Sequence, residues 1–304
     1  MNGITRVLIS LFLLGACAVA MRFTMATVDV PASKRQLHNA RLAIQKAKEI
    51  KLHIEAGDVN GFIIQAGQAG RIAGSVQGAA DDQLYLNQYA DKGSVEYTYN
   101  IGKRTYQNFL WSRPRLRKDA EVRLPLGIPL LLEVSVENNF GTHNSQIDLR
   151  NLNIKRFDLV HSFSDSPRQI RLRLPNSEPD TEFFLAMGRD TIQVEIDKNT
   201  QGYLWIPAYL KAGIISIGTD PQKALEIIVT GYDKSGDGLK KRVSHSFGEE
   251  LEIQEPRFVQ RTMEGKNEWV IVMKTKSNSK NPFKVEIQLG EQSIFGLSNW
   301  VLQK

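Results

Sequence analysis

Asp233-Lys-Ser235-Gly-Asp237-Gly238 sets oxygen donors at alternate positions and a glycine at the sixth, which is the opening half of a calcium loop. The bidentate glutamate needed at the twelfth position is missing, and Ser244 stands there. A polar turn is therefore the expected structure, with Asp233, Ser235 and Asp237 as a weak calcium candidate and no other metal site foreseen. The five histidines, His38, His53, His143, His161 and His245, are dispersed and none has metal-ligand spacing. His53 and His161 fall on outward positions of strand-like runs. The neighbouring carboxylates Asp81-Asp82 and Glu249-Glu250 lie in loop-like stretches. Acid–base work would need such groups to converge in a cleft. No Gly-x-Ser-x-Gly elbow occurs, and the glycines are too scattered for a phosphate loop. No catalytic residue and no cofactor is assigned.

The most basic stretch is Tyr106 to Arg123, where Arg113, Arg115, Arg117 and Lys118 follow Tyr106, Phe109 and Trp111. Such interleaving can bind nucleic acid or glycans; between strands of a chain with an export leader, nucleic acid is not expected, and the four cations are a candidate contact for an anionic surface. The simpler expectation is a long loop over the flank of a sheet.

Cys17 is the one cysteine, so neither a disulfide framework nor a thiolate zinc site is available. It follows a start charged by Arg6 and the amino terminus, and the apolar run Val7 to Ala16. This is the pattern of a secretory leader, and the run is short for a membrane span. Leu14-Gly15-Ala16-Cys17 resembles the lipobox of bacterial lipoproteins, in which the cysteine is acylated and begins the mature chain. Ordinary cleavage after Ala18-Val19-Ala20 also fits, as does an uncleaved anchor. Removing Arg6 takes the formal charge from +6 to about +5, a mild balance that suits lipid or cell-wall polymer without requiring either.

The elements that must carry these residues repeat. Ile147-Asp-Leu149, Ile170-Arg-Leu172, Ile192-Gln-Val194 and Ile215-Ser-Ile217 are one apolar–polar–apolar unit, spaced by 23, 22 and 23 residues. A second run precedes each: Leu132-Glu-Val134-Ser-Val136, Phe157-Asp-Leu159, Phe183-Phe184-Leu185 and Leu204-Trp-Ile206. A period in the low twenties with strand alternation and polar corners predicts an all-β, stacked β-solenoid, because one rung cannot hide its apolar face alone. Aligning the units places the outward Asp148 beside Arg171. Leu37, Ala40, Ile44 and Ala47 predict a short basic helix over Lys34 to Lys48. It would either cap the stack or lie on anionic lipid. Trp269 to Met273 and Phe283 to Leu289, joined by a polar turn, predict a C-terminal antiparallel β-hairpin. The expected organisation is a signal peptide at 1–20 with the lipobox at 14–17, a tether and basic helix at 21–48, the solenoid at 49–232, and a hairpin cap at 233–304.

Three stretches carry a family resemblance: Ala47-Lys48-Glu49-Ile50-Lys-Leu52-His-Ile54-Glu-Ala-Gly57-Asp58, Leu124-Pro-Leu126-Gly127-Ile128-Pro129-Leu130-Leu-Leu132-Glu-Val134, and Ile147-Asp-Leu149-Arg-Asn151-Leu152-Asn-Ile154. They are similar to the toast-rack (DUF2154-type) family and related adhesin-like β-solenoid domains of bacterial envelope proteins. The chain departs from that pattern at its corners, where Asn138-Asn139-Phe140-Gly141 and Ser164-Asp165-Ser166-Pro167 replace small glycine turns. The resemblance covers about half the chain and implies an envelope-facing solenoid with no catalytic residues to carry over. The expected function is a non-enzymatic, exported scaffold or interaction surface, anchored to the membrane by lipid in the periplasm or envelope. Its expected partner is an envelope protein or polysaccharide, and not nucleic acid. A polysaccharide-active enzyme and a regulatory module for a membrane stress sensor are the alternatives.

Overall fold

The computed structural model describes residues 36–43, 48–57, 61–78, 84–91, 94–101, 119–137, 143–161, 168–186, 190–207, 213–220, 222–232, 239, 243–245, 251–253, 257–260, 267–275, 282–290 and 294–299. They are nearly all strand. In chain order these are β1 Gln36–Ala43, β2 Glu49–Gly57, β3 Gly61–Ala66, β4 Arg71–Gly78, β5 Leu84–Asp91, β6 Ser94–Ile101, β7 Asp119–Leu124 and β8 Pro129–Glu137. There follow β9 His143–Asp148, β10 Asn153–His161, β11 Arg168–Arg173, β12 Glu182–Ala186, β13 Asp190–Ile196, β14 Tyr203–Pro207 and β15 Ile214–Thr219. The last are β16 Leu225–Tyr232, β17 Val243–His245, β18 Leu251–Ile253, β19 Arg257–Gln260, β20 Asn267–Thr275, β21 Phe283–Leu289 and β22 Ile294–Asn299.

From β8 to β15 successive strands alternate between two sheets. The even-numbered strands pair in parallel in a 12-stranded sheet, and the odd-numbered ones in parallel in a 10-stranded sheet. Registers follow the apolar positions. Leu132, Phe157, Phe183 and Leu204 stand opposite one another in one row, and Val134, Leu159 and Leu185 in the next. Ile170, Ile192 and Ile215 form a row of the other sheet, beside Leu172, Val194 and Ile217. Residues of both sheets meet in a single buried apolar cluster, so the core lies between them. Parallel sheets usually bury both faces. Here each keeps a wet face, and burial alternates along strands such as Asp119 to Leu124 and Glu182 to Ala186.

The first unit sits two residues from its expected place. Ile147 stands opposite Leu172, and Asp148 opposite Arg173 rather than Arg171. Leu149 continues the ladder by donating its N–H to Arg173 O at 3.0 Å. A two-residue slip keeps every side chain on its face, so alternation alone does not detect it.

Both ends depart from chain order. The pair β2–β3 lies between β6–β7 and β8–β9, and β21–β22 lies between β14–β15 and β16–β17. Antiparallel strands flank the parallel blocks: β5 on β6, β4 on β7 with β1 on β4, and β20 on β16. Two expectations are corrected here. The basic helix is instead strand β1, paired over its whole length with β4. A short helix is marginal without packing, whereas the β4 edge supplies a partner for every backbone group facing it. The C-terminal hairpin is also absent as a pair. Its two strands exist as β20 and β21, but β16 runs between them, antiparallel to one and parallel to the other.

Corners between the sheets repeat as tight turns. Backbone bonds close 178–181, 197–200 and 220–223, from Thr181 N to Glu178 O, Thr200 N to Asp197 O and Lys223 N to Asp220 O. Asp197 and Asp220 also accept the N–H two residues on, at 3.2 and 2.9 Å. These side-chain bonds make aspartate a turn starter. The residue closing each turn is buried: Thr181, Thr200, Lys223. Gly202 follows the second turn with φ 115°, and its backbone lies against Thr181 O.

Candidate functional site

The outer face of the 10-stranded sheet carries charges that meet across three strands. β9, β11 and β13 place Asp148, Arg173 and Glu195 in one row. Glu195 is 6% exposed and accepts hydrogen bonds from Arg171 Nε at 2.6 Å and Arg173 Nε at 2.8 Å. Arg173 Nη1 reaches Asp148 Oδ2 at 3.3 Å, and Arg150 Nη2 approaches the same oxygen at 2.6 Å. Burial, the largest influence on Asp148, pushes its carboxyl up. The hydrogen bonds from Arg150 and Arg173 together outweigh that and hold it below the usual carboxylate range. Arg150 is raised in turn, chiefly by its hydrogen bond to Asp148. Asp148 therefore adds stability at neutral pH that fades as pH falls through its depressed folded value.

A shallow depression beside this cluster is lined by Arg150, Arg173, Glu195, Asp197, Thr219 and Asp220 among others. At the corner below, Lys223 is 7% exposed. Its Nζ donates to Lys198 O at 3.2 Å and to Thr200 O, 5.9 Å from the Phe283 ring centre. Burial lowers the Lys223 pKa, while the charge of Asp197 opposes the shift.

The outer face of the 12-stranded sheet is different. His53 Nδ1 pairs with Glu133 Oε2 at 2.8 Å, and Arg156 Nε with Asp158 Oδ2 at 2.8 Å. Beside them the polar pattern breaks. Phe184 and Trp205 face each other across β12 and β14, ring centres 5.1 Å apart and planes at 60°. Tyr203 donates its hydroxyl to Glu286 Oε2 at 2.6 Å. Burial, then this bond, pushes the Tyr203 hydroxyl well above its ordinary value.

Chemically, the first cluster cross-links strands: each carboxylate already receives guanidinium donors. Glu195→Ala leaves Arg171 and Arg173 facing each other. Breaking a fully buried pair costs about 3–5 kcal/mol. Because Arg171 and Arg173 keep 42% and 30% exposure and are screened, about 2–3 kcal/mol is expected, read from the urea midpoint. Removing either arginine alone is expected to cost about 0–1 kcal/mol.

Of the residues singled out in the sequence, His53 is on an outward position and is paired with Glu133. Asp148 joins the charge cluster with Arg173 as its partner across the ladder. Cys17, Arg113, Arg115, Arg117, Lys118, Asp233, Ser235 and Asp237 lie outside the described residues. Among the described residues no group of three or more His, Cys, Asp or Glu could hold a metal ion. Sequence reasoning missed Glu195 and Lys223. The available signal was two arginines two apart, Arg171 and Arg173, with an acid at the matching position one period later.

No protein-family profile and no curated protein matches the chain. Among solved structures, a protein of Clostridium sporogenes provisionally assigned to cell adhesion is similar at 13% identity and TM-score 0.49, over 88% of this chain and 100% of that one. A provisionally assigned adhesin of Parabacteroides distasonis is similar at 9% identity and TM-score 0.28, over 86% and 97%. One of Bacteroides fragilis is similar at 10% identity and TM-score 0.27, over 87% and 97%. All three scores are below 0.5.

Proposed function

We propose that the chain is an exported bacterial cell-envelope protein, acylated at Cys17, whose two sheets form a non-catalytic β-solenoid presenting an interaction surface. In this reading it is a relative of the toast-rack proteins. The observation that carries the scaffold reading is the cross-strand charge cluster. Asp148, Arg171, Arg173 and Glu195 occupy equivalent outward rows of successive strands and bond to one another. A polysaccharide-active site would hold such groups convergent and available to substrate. These are spent on holding neighbouring rungs in register.

The lipobox of the leader supports anchoring. Intact-mass measurement of the mature protein from membranes is expected to show a diacyl or triacyl adduct on Cys17, and Cys17→Ser is expected to leave the adduct absent. A mature chain beginning at Met21 would exclude the lipid anchor. Turnover of a polysaccharide that is lost in Glu195→Gln, at unchanged stability, would exclude the passive scaffold.

A further inference from the structure

The sheet face opposite the charge cluster carries an apolar patch where polar residues belong. Along β10, β12 and β14 the neighbouring outward positions are Val160, Phe184, Ala186 and Trp205, with Tyr203 two residues before Trp205. Val160 is 37% exposed, and Phe184 and Trp205 are half-buried. Outward positions elsewhere on this sheet include Lys51, His53, Glu133 and Glu226, together with the half-buried Leu131 and Ile228. An apolar patch rimmed by polar groups on such a face marks a binding surface.

We propose that this patch binds an uncharged, hydroxyl-rich glycan chain. The rim decides the chemistry. Arg156 and Asp158 on β10, Glu182 on β12, and Lys284 and Glu286 on β21 place both signs around the rings, which disfavours a strongly anionic or cationic partner. The same groups supply donors and acceptors together, as sugar hydroxyls require. Two of them are pre-oriented: Glu286 by the Tyr203 hydroxyl and Asp158 by Arg156. The rings sit on adjacent strands about 4.8 Å apart, a step comparable with one pyranose.

This inference rests on the interaction-surface reading but is independent of the anchor, because it concerns the purified mature chain. Cellohexaose, chitohexaose and laminarihexaose are titrated by calorimetry, with tryptophan fluorescence as a second readout. At least one is expected to bind. Trp205→Ala is expected to weaken it about tenfold or more, as for a central aromatic anchor, at unchanged circular dichroism. Val160→Glu, at an exposed position, serves if Trp205→Ala does not fold, and is expected to weaken binding as strongly. Binding to none of the three, or equal binding by the variants, overturns the proposal. A patch-dependent response only to peptides or proteins overturns it as well. Failure to find acyl groups on Cys17 leaves it standing, whereas loss of glycan binding with an intact anchor leaves the envelope address standing.

Discussion

Phe183→Ala is expected to remove about 3–5 kcal/mol of stability, the usual effect of deleting a buried aromatic ring. Phe183 is fully buried, stands between Phe157 and Leu204 in the core row, and has its ring 6.3 Å from that of Phe283. Stacked strands cannot close over the missing ring without moving both neighbours, so most of the cavity persists. Urea denaturation reads the loss directly. Phe183→Leu, which keeps most of the volume, is expected to cost less than about 1.5 kcal/mol. A shift of only a few tenths in Phe183→Ala, as at surface positions, would show that the row is not packed as described.

Gly202→Ala is expected to be nearly as damaging, for a reason unrelated to apolar area. A Cβ built there would lie 2.2 Å from Thr181 O, and φ is 115°. Both neighbours are fixed: Thr181 O accepts Tyr203 N at 3.0 Å, and Gly202 O accepts Lys284 N at 3.3 Å. Backbone strain and the clash together set a loss of about 2–5 kcal/mol. Gly127 provides the contrast. Its φ is 76°, but nothing lies within 4 Å of the added carbon. Gly127→Ala should therefore cost only the left-handed penalty of about 1–2 kcal/mol. Equal thermal shifts for the two variants would refute the crowding at Gly202.

The repeated core rows were legible because the strands from β10 to β15 bury every second residue over most of their described length. Phe157 with Phe183, and Ile170 with Ile192 and Ile215, pair as their spacing implies. Ile147 was misplaced because a shift of two positions leaves the same face inward. The pairing of Asp148 with Arg173 depends on that shift and so could not be read from spacing. The hairpin failed for another reason. Trp269 to Met273 and Phe283 to Leu289 look like neighbours because they are adjacent in sequence, yet β16 brings its own apolar Ile227 and Val229 between them. The helix failed because Leu37, Ala40 and Ile44 suit helical spacing, while pairing with β4 depends on partners 28 to 42 residues on. Of the outer faces, Phe184 and Trp205 were visible only as members of strands. The outward placement of Phe184 requires knowing which of two consecutive aromatics, Phe183 or Phe184, faces the core.

The insertion of β21–β22 between β14–β15 and β16–β17 has a consequence for biogenesis. As the chain leaves the ribosome, β14 and β15 appear well before β21 and β22, which will lie beside them. Their edges must stay vacant, and available to foreign chains, until the C-terminal segment arrives. Assembly then waits on contacts between distant parts of the chain, which makes the last step slow. A truncation near the C-terminus would accordingly open a seam inside the ladder rather than shorten it from one end.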